Sequence, residues 1–155
     1  TFYNLHFLIL CMLFRNIMIP YDGSRFSKHA FKVALDIAKK YNSRLTVVTC
    51  IGKYYQGFWI YDNRLANLDF KRQYKNAKNE LEDLGSVAKK SNVRFNAVIL
   101  EAAKIVTTLA SYAKSAKIDL VVIGSHGRTG WSKMIIGSVA NGMLQTVRCP
   151  VLIVK

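Results

Sequence analysis

The residues with chemistry to offer are gathered in one stretch, residues 118–144, IDLVVIGSHGRTGWSKMIIGSVANGML. Gly124 closes the apolar run Leu120-Val121-Val122-Ile123 and opens a small polar loop, Ser125-His126-Gly127-Arg128-Thr129-Gly130. A β-branched run bounded by turn signals predicts a strand buried on both faces. Gly137-Ser138 then opens a helix carrying Val139, Met143, Leu144 and Val147. Glycine lets backbone or ligand approach more closely than a Cβ allows. A helix start at Gly137-Ser138 presents free N–H groups, the positive dipole end and, from Ser138, a hydroxyl. Singly, each glycine reads more simply as a turn or a helix break. Together, beside a buried strand end, they suit an anion, of which phosphate is the commonest.

These residues need a scaffold, and the rest of the chain supplies an alternating one. Ile17-Met18-Ile19-Pro20 predicts a buried strand, and Asp22-Gly23-Ser24 a turn with a helix cap. A helix follows from Ser24 to Tyr41, with Ala30, Phe31, Ala34, Ile37, Ala38 and Tyr41 on one stripe. Leu45–Ile51 is the second strand, and Gly52–Asn63 an aromatic, aperiodic loop of the kind that often covers a ligand. Leu65–Lys90 predicts a long helix with Leu68, Ala77, Leu81, Leu84 and Ala88 inward. Val93–Leu100 predicts a third strand, and Ala102–Lys117 a helix with Ile105, Val106, Leu109, Tyr112, Ala113 and Ala116. The glycine loop follows strand four, and a helix from about Gly137 to Arg148 leads to strand five, Val151–Val154. Strands alternating with helices imply an open, doubly wound, parallel α/β sheet, Rossmann-like in class.

Gly124-x2-Gly127-x9-Gly137-Ser138 resembles the nucleotide signature of the universal stress protein family, G-x2-G-x9-G-[S/T]. Ile19-Pro20-Tyr21-Asp22-Gly23-Ser24 is similar to that family's first strand with its acidic end. Cys149-Pro150-Val151-Leu152-Ile153-Val154 is similar to its closing strand. The resemblance runs from about Asn16 to the C-terminus and implies strand order 3-2-1-4-5. Strands one and four are then neighbours where the winding reverses, the place where such sheets bind ligands. It further implies an adenine nucleotide, ATP with or without Mg or Mn, as the ligand. Carried over by position, Pro20, Tyr21 and Asp22 lie near base and ribose, and Cys50 lies beside the adenine. Ile123 and Gly124 floor the pocket, and His126, Gly127, Gly137, Ser138 and Val139 surround the phosphates. Arg128 and Lys133 add charge there or face solvent. Three positions depart from the family pattern. Tyr21 stands where a small or β-branched residue is usual and would narrow the base pocket. Glu101-Ala102-Ala103 lacks the usual glycine-x-proline turn, and Ala140 replaces a hydroxyl residue.

The 155 residues suit one domain, and 51% hydrophobic against 21% charged content excludes a disordered chain. Residues 1–14 are strongly apolar but too short to span a bilayer, and they lack signal-peptide flanks. We read residues 1–11 as an extension to a working domain of 12–155, with a membrane-touching or partner-binding tail as the alternative. Lys plus Arg outnumber Asp plus Glu by 23 to 9, a formal charge of +14. The charges are dispersed at helical spacing, and no nucleic-acid-binding motif accompanies them, so nucleic acid and membrane rank below a nucleotide as partners. Three separated cysteines, Cys11, Cys50 and Cys149, fit a reducing cytoplasm better than a disulfide scaffold. There is no P-loop lysine, nucleophile elbow, H-E-x-x-H or paired-carboxylate pattern, so binding with slow or no hydrolysis is expected. His126 is read as a phosphate hydrogen-bonding group before a proton carrier. A nucleotide switch acting on an unknown protein partner is the functional expectation. Its rivals are a scaffold without nucleotide and a basic-surface binder. A homodimer is expected through Val151–Val154, which would otherwise leave an apolar edge open.

Overall fold

The computed structural model describes residues 14–52, 63–128 and 136–155. The extension 1–11, the aromatic loop between 53 and 62, and the segment holding Thr129, Gly130 and Lys133 lie outside the described residues. Strand β1 (Asn16–Pro20) is followed by helix α1 (Arg25–Tyr41), strand β2 (Arg44–Gly52), helix α2 (Asn63–Lys90) and strand β3 (Arg94–Ala102). Helix α3 (Ile105–Ser115), strand β4 (Leu120–Gly124), helix α4 (Ser138–Thr146) and strand β5 (Val151–Val154) complete the chain. All pairings are parallel and the sheet order is β3-β2-β1-β4-β5. The order 3-2-1-4-5 implied by the family resemblance is therefore the one observed.

Alternation along the strands divides the core into two layers. Ile17, Ile19, Leu45, Val47, Leu120 and Val122 pack with α1 and α2. Met18, Val48, Val121 and Ile123 pack on the other face with Leu109 and Met143 of α3 and α4. β4 is buried at all five positions, as its unbroken apolar run requires. Each fully buried aliphatic side chain contributes about 1.5–3 kcal/mol, so these central strands hold the site's floor rigid.

Helix ends follow local chemistry. The Ser24 hydroxyl caps α1 by accepting the Ser27 N–H at 3.1 Å. Asn42, with φ 53°, closes the same helix in the left-handed region that asparagine tolerates. α3 begins at Ile105 rather than Ala102, because β3 stays paired with β2 as far as Gly52 and Ala102. α4 stops at Thr146, short of Arg148, and Val147 is already extended ahead of Cys149-Pro150.

Two expected inward positions are not inward. Leu68 is 62% exposed and Ile105 41% exposed, while Leu81, Ala88, Leu109 and Ala113 of the same helices are buried. α2 has 28 residues and is about 42 Å long. Among the described residues, its buried apolar positions, Leu81 and Ala88, both lie in its C-terminal half.

Candidate functional site

β1 and β4 end side by side, and the two turns that leave them meet. Asp22 accepts the Ser24 N–H at 3.0 Å on Oδ1 and the Arg128 N–H at 3.1 Å on Oδ2. Arg128 Nε also donates to the Asp22 carbonyl at 2.6 Å. Arg128 is thus a clasp between the acidic turn and the glycine loop. Burial alone would raise the Asp22 pKa, but hydrogen bonds from Ser24, Ser27 and Arg128 outweigh it, and the carboxyl sits below its ordinary value. It is an ionised acceptor at neutral pH, with lone pairs beyond those its backbone donors use.

The glycines are placed by close approach. A Cβ on Gly127 would lie 2.9 Å from Asp22 Oδ2, and one on Gly137 3.2 Å from the Ser125 carbonyl oxygen. The Gly137 N–H donates to that carbonyl at 2.7 Å, which joins the two ends of the loop before α4 begins. Ser125 is 1% exposed, and its own N–H donates to Val154 at 2.7 Å. The loop is therefore fastened at its root to both α4 and β5. Ser138 is exposed on the first turn of α4, beside N–H groups with no intrahelical acceptor. His126 Nδ1 lies 3.1 Å from the Ser125 hydroxyl, and its ring tilts against Phe26 at 5.2 Å between centroids.

Asp22, Gly124, His126, Gly127 and Gly137 come together around this crevice. Cys50, Ile123 and Val139 share the α3/α4 face beneath it, and Pro20 follows Met18 to that side by alternation. Burial pushes the Cys50 thiol up to about 11, so at neutral pH it is a packing group and not a nucleophile. Tyr21 goes the other way. It is 5% exposed in the α1/α2 layer with Ile17, Ile19 and Leu81. Its phenol hydrogen-bonds Glu80, and burial together with the Glu80 charge raises its pKa to about 12. The side chain expected to narrow a base pocket is core instead, and only the Tyr21 backbone borders the crevice.

Sequence reasoning missed three participants. Phe26 packs its backbone on Gly124. Glu80 reaches across from α2 to the turn after β1, where Gly23 (φ 81°) leaves it room. Ser125 is the root of the loop. Phe26 and Glu80 sit on ordinary helical stripes, and no spacing marks them. Ser125, next to Gly124 at the end of a buried strand, was the one with a local signal.

Among the described residues, no group of three His, Cys, Asp or Glu side chains could hold a metal ion, and no helix is long and apolar enough to cross a membrane. A universal stress protein of Methanocaldococcus jannaschii is 30% identical over 149 residues, spanning 92% of this chain and 83% of the relative. The solved universal stress protein UspA from Lactobacillus plantarum superposes with a TM-score of 0.83 at 23% identity, covering 92% of this chain and 98% of that one. A family member from Arabidopsis thaliana, solved with AMP bound, gives 0.66 at 16% identity, with 91% of each chain covered. The model of the universal stress protein family matches residues 13–155, and with this fold and this crevice the chain belongs to that family.

Proposed function

We propose that the crevice between β1 and β4 binds an adenine nucleotide, ATP with its accompanying Mg or Mn, and that occupancy sets the state of the glycine loop for a protein partner. The carrying observation is the approach of Gly127 to Asp22, 2.9 Å from a would-be Cβ to Oδ2. It brings the loop backbone at Gly127 up against an ionised carboxylate, on the same side as the start of α4, whose first N–H groups have no intrahelical acceptor. A ribose suits the carboxylate, and phosphates suit the N–H groups of the loop and of α4. The AMP carried by the Arabidopsis thaliana family member supports the same ligand class. A divalent ion would ride on the nucleotide's phosphates, with the protein supplying hydroxyl and backbone groups. ATP would order the loop 125–132 from the anchor at Ser125. Hydrolysis is slow or absent in this reading, and the cytoplasm is its setting.

Isothermal titration of ATP, beside a Gly127→Val, Ser138→Ala double variant, tests it. Micromolar binding by the parent is expected, weakened about 100-fold or more in the variant. That would follow from obstruction at 127 and the loss of one hydrogen bond at 138. A parent that binds no nucleotide would leave the family fold as a scaffold.

Among the described residues β5 pairs on one side only, with β4, and Leu152 is 38% exposed. We expect a homodimer through this edge, Val151–Val154, about a two-fold axis. A monomeric mass by light scattering at micromolar concentration would remove that assembly.

A further inference from the structure

The opposite end of the sheet carries a second concentration of chemistry. Three adjacent strands begin there with arginine: Arg15 just before β1, Arg44 opening β2 and Arg94 opening β3. Arg44 and Arg94 are direct register partners, so two guanidinium stems leave neighbouring strands on the same side. Like charges in that relation destabilise a sheet. Among the described residues no carboxylate lies within ion-pair distance of Arg44 or Arg94. The carboxylate at this end, Asp119, accepts the backbone N–H groups of Arg15 and Asn16 at 2.9 and 3.1 Å. Residues 1–13, which lead into Arg15, contain no acidic residue that could relieve the repulsion.

The three arginines, with Asn16, Tyr41 and Asn42, line a cavity of about 500 Å³. A neighbouring groove of about 380 Å³ shares Arg94 and continues along Lys89 and Asn92. The walls are set in advance. Arg94 Nη2 donates to the Asn42 carbonyl at 2.6 Å, and Tyr41 is held edge-on by Phe14 with the Lys40 ammonium 5.5 Å over its ring. Lysines at the last turns of α1 and α2 complement helix dipoles. That explanation does not extend to the arginines, which begin strands, and strands have only small net dipoles.

We propose that this cleft is a binding site for a small phosphorylated anion, a phosphomonoester or short oligophosphate, distinct from the nucleotide crevice and independent of it. Guanidinium remains charged at all relevant pH and presents a planar fork that matches two phosphate oxygens. A phosphate bridging Arg44 and Arg94 turns an unfavourable register pair into two attractive contacts. The cavity volume is within the range of small-molecule sites.

Inorganic tripolyphosphate titrated into the ¹⁵N-labelled full chain at physiological ionic strength tests the proposal. Saturable amide shifts are expected at Asn42, Arg44 and Arg94, unchanged in a Gly127→Val background that blocks the other crevice. In an Arg44→Gln, Arg94→Gln variant the affinity should fall at least about tenfold. Without anion, that variant should melt close to the parent, because relief of the repulsion offsets loss of the Arg94 bond to the Asn42 carbonyl. Shifts confined to Ser125–Gly127 would overturn the proposal, as would non-saturating shifts spread over every lysine-bearing helix. Binding of a single-stranded oligonucleotide or of anionic vesicles, without binding of tripolyphosphate, would also overturn it.

Discussion

Gly124→Val is expected to lower the melting temperature by about 4–12 °C, corresponding to about 2–3 kcal/mol in a domain of this size. Judged by strand propensity alone, valine in a buried parallel strand should stabilise. The geometry reverses the sign. A Cβ at 124 would lie 2.7 Å from the Phe26 carbonyl carbon, 2.8 Å from its Cβ and 2.9 Å from its carbonyl oxygen. Two of those atoms are backbone in the first turn of α1, so relief requires the helix to move. The helix is fixed by Ser24 capping and by Ala30, Phe31 and Ala34 in the core. Thermal denaturation followed by circular dichroism gives the answer. An unchanged or higher melting temperature would mean that α1 and β4 separate without cost.

The second large effect is at high pH. The Tyr21 phenol ionises near 10 in an unfolded chain but near 12 in the folded one. The folded state therefore favours the protonated phenol. Its contribution is complete below about pH 10, declines as pH rises toward 12, and is gone above the folded value. Up to about 2–3 kcal/mol is lost across that window. Lysines and other tyrosines titrate there as well, so the comparison with Tyr21→Phe is decisive. That variant should be about 0.5–1.5 kcal/mol less stable at neutral pH, having lost the bond to Glu80. It should then show a shallower decline in urea midpoints above pH 10. Parallel declines in both proteins would exclude Tyr21 as the source.

The sheet was legible because its pattern is strong. Apolar runs at 17–20, 45–51, 120–123 and 151–154 have no use except as strands, and the stripes between them have helical period. The crevice was legible through spacing: a side chain at Gly124 or Gly127 would collide with Phe26 or Asp22, and one at Gly137 would crowd Ser125. The direction of Tyr21 was also available, since it shares parity with Ile17 and Ile19, but its neighbour Asp22 drew attention to the crevice instead. Other features were not available. The Glu80 contact with the turn after β1 depends on how a long helix lies across the sheet. Leu68 looked inward because period gives a helix its apolar stripe but not which part of that stripe is covered, and Leu68 is exposed. The arginines at 15, 44 and 94 looked dispersed in sequence, and only parallel register brings the last two side by side.

The central place of β1 also shapes how the chain is made. Its partners are β2, which follows soon after, and β4, joined through Ile17 with Leu120 and through the Asp119 carboxylate 104 residues beyond Arg15. At synthesis rates of about 5–20 residues per second, the second partner leaves the ribosome on the order of 5–20 s after the first strand. During that interval a three-stranded unit of β1, β2 and β3 can assemble, with the Ile17-Met18-Ile19 backbone as an open edge. The nascent chain is thus most exposed to mispairing along the strand that ends up most enclosed. Any chaperone that attends this protein has its natural substrate there, in the seconds before Leu120 appears.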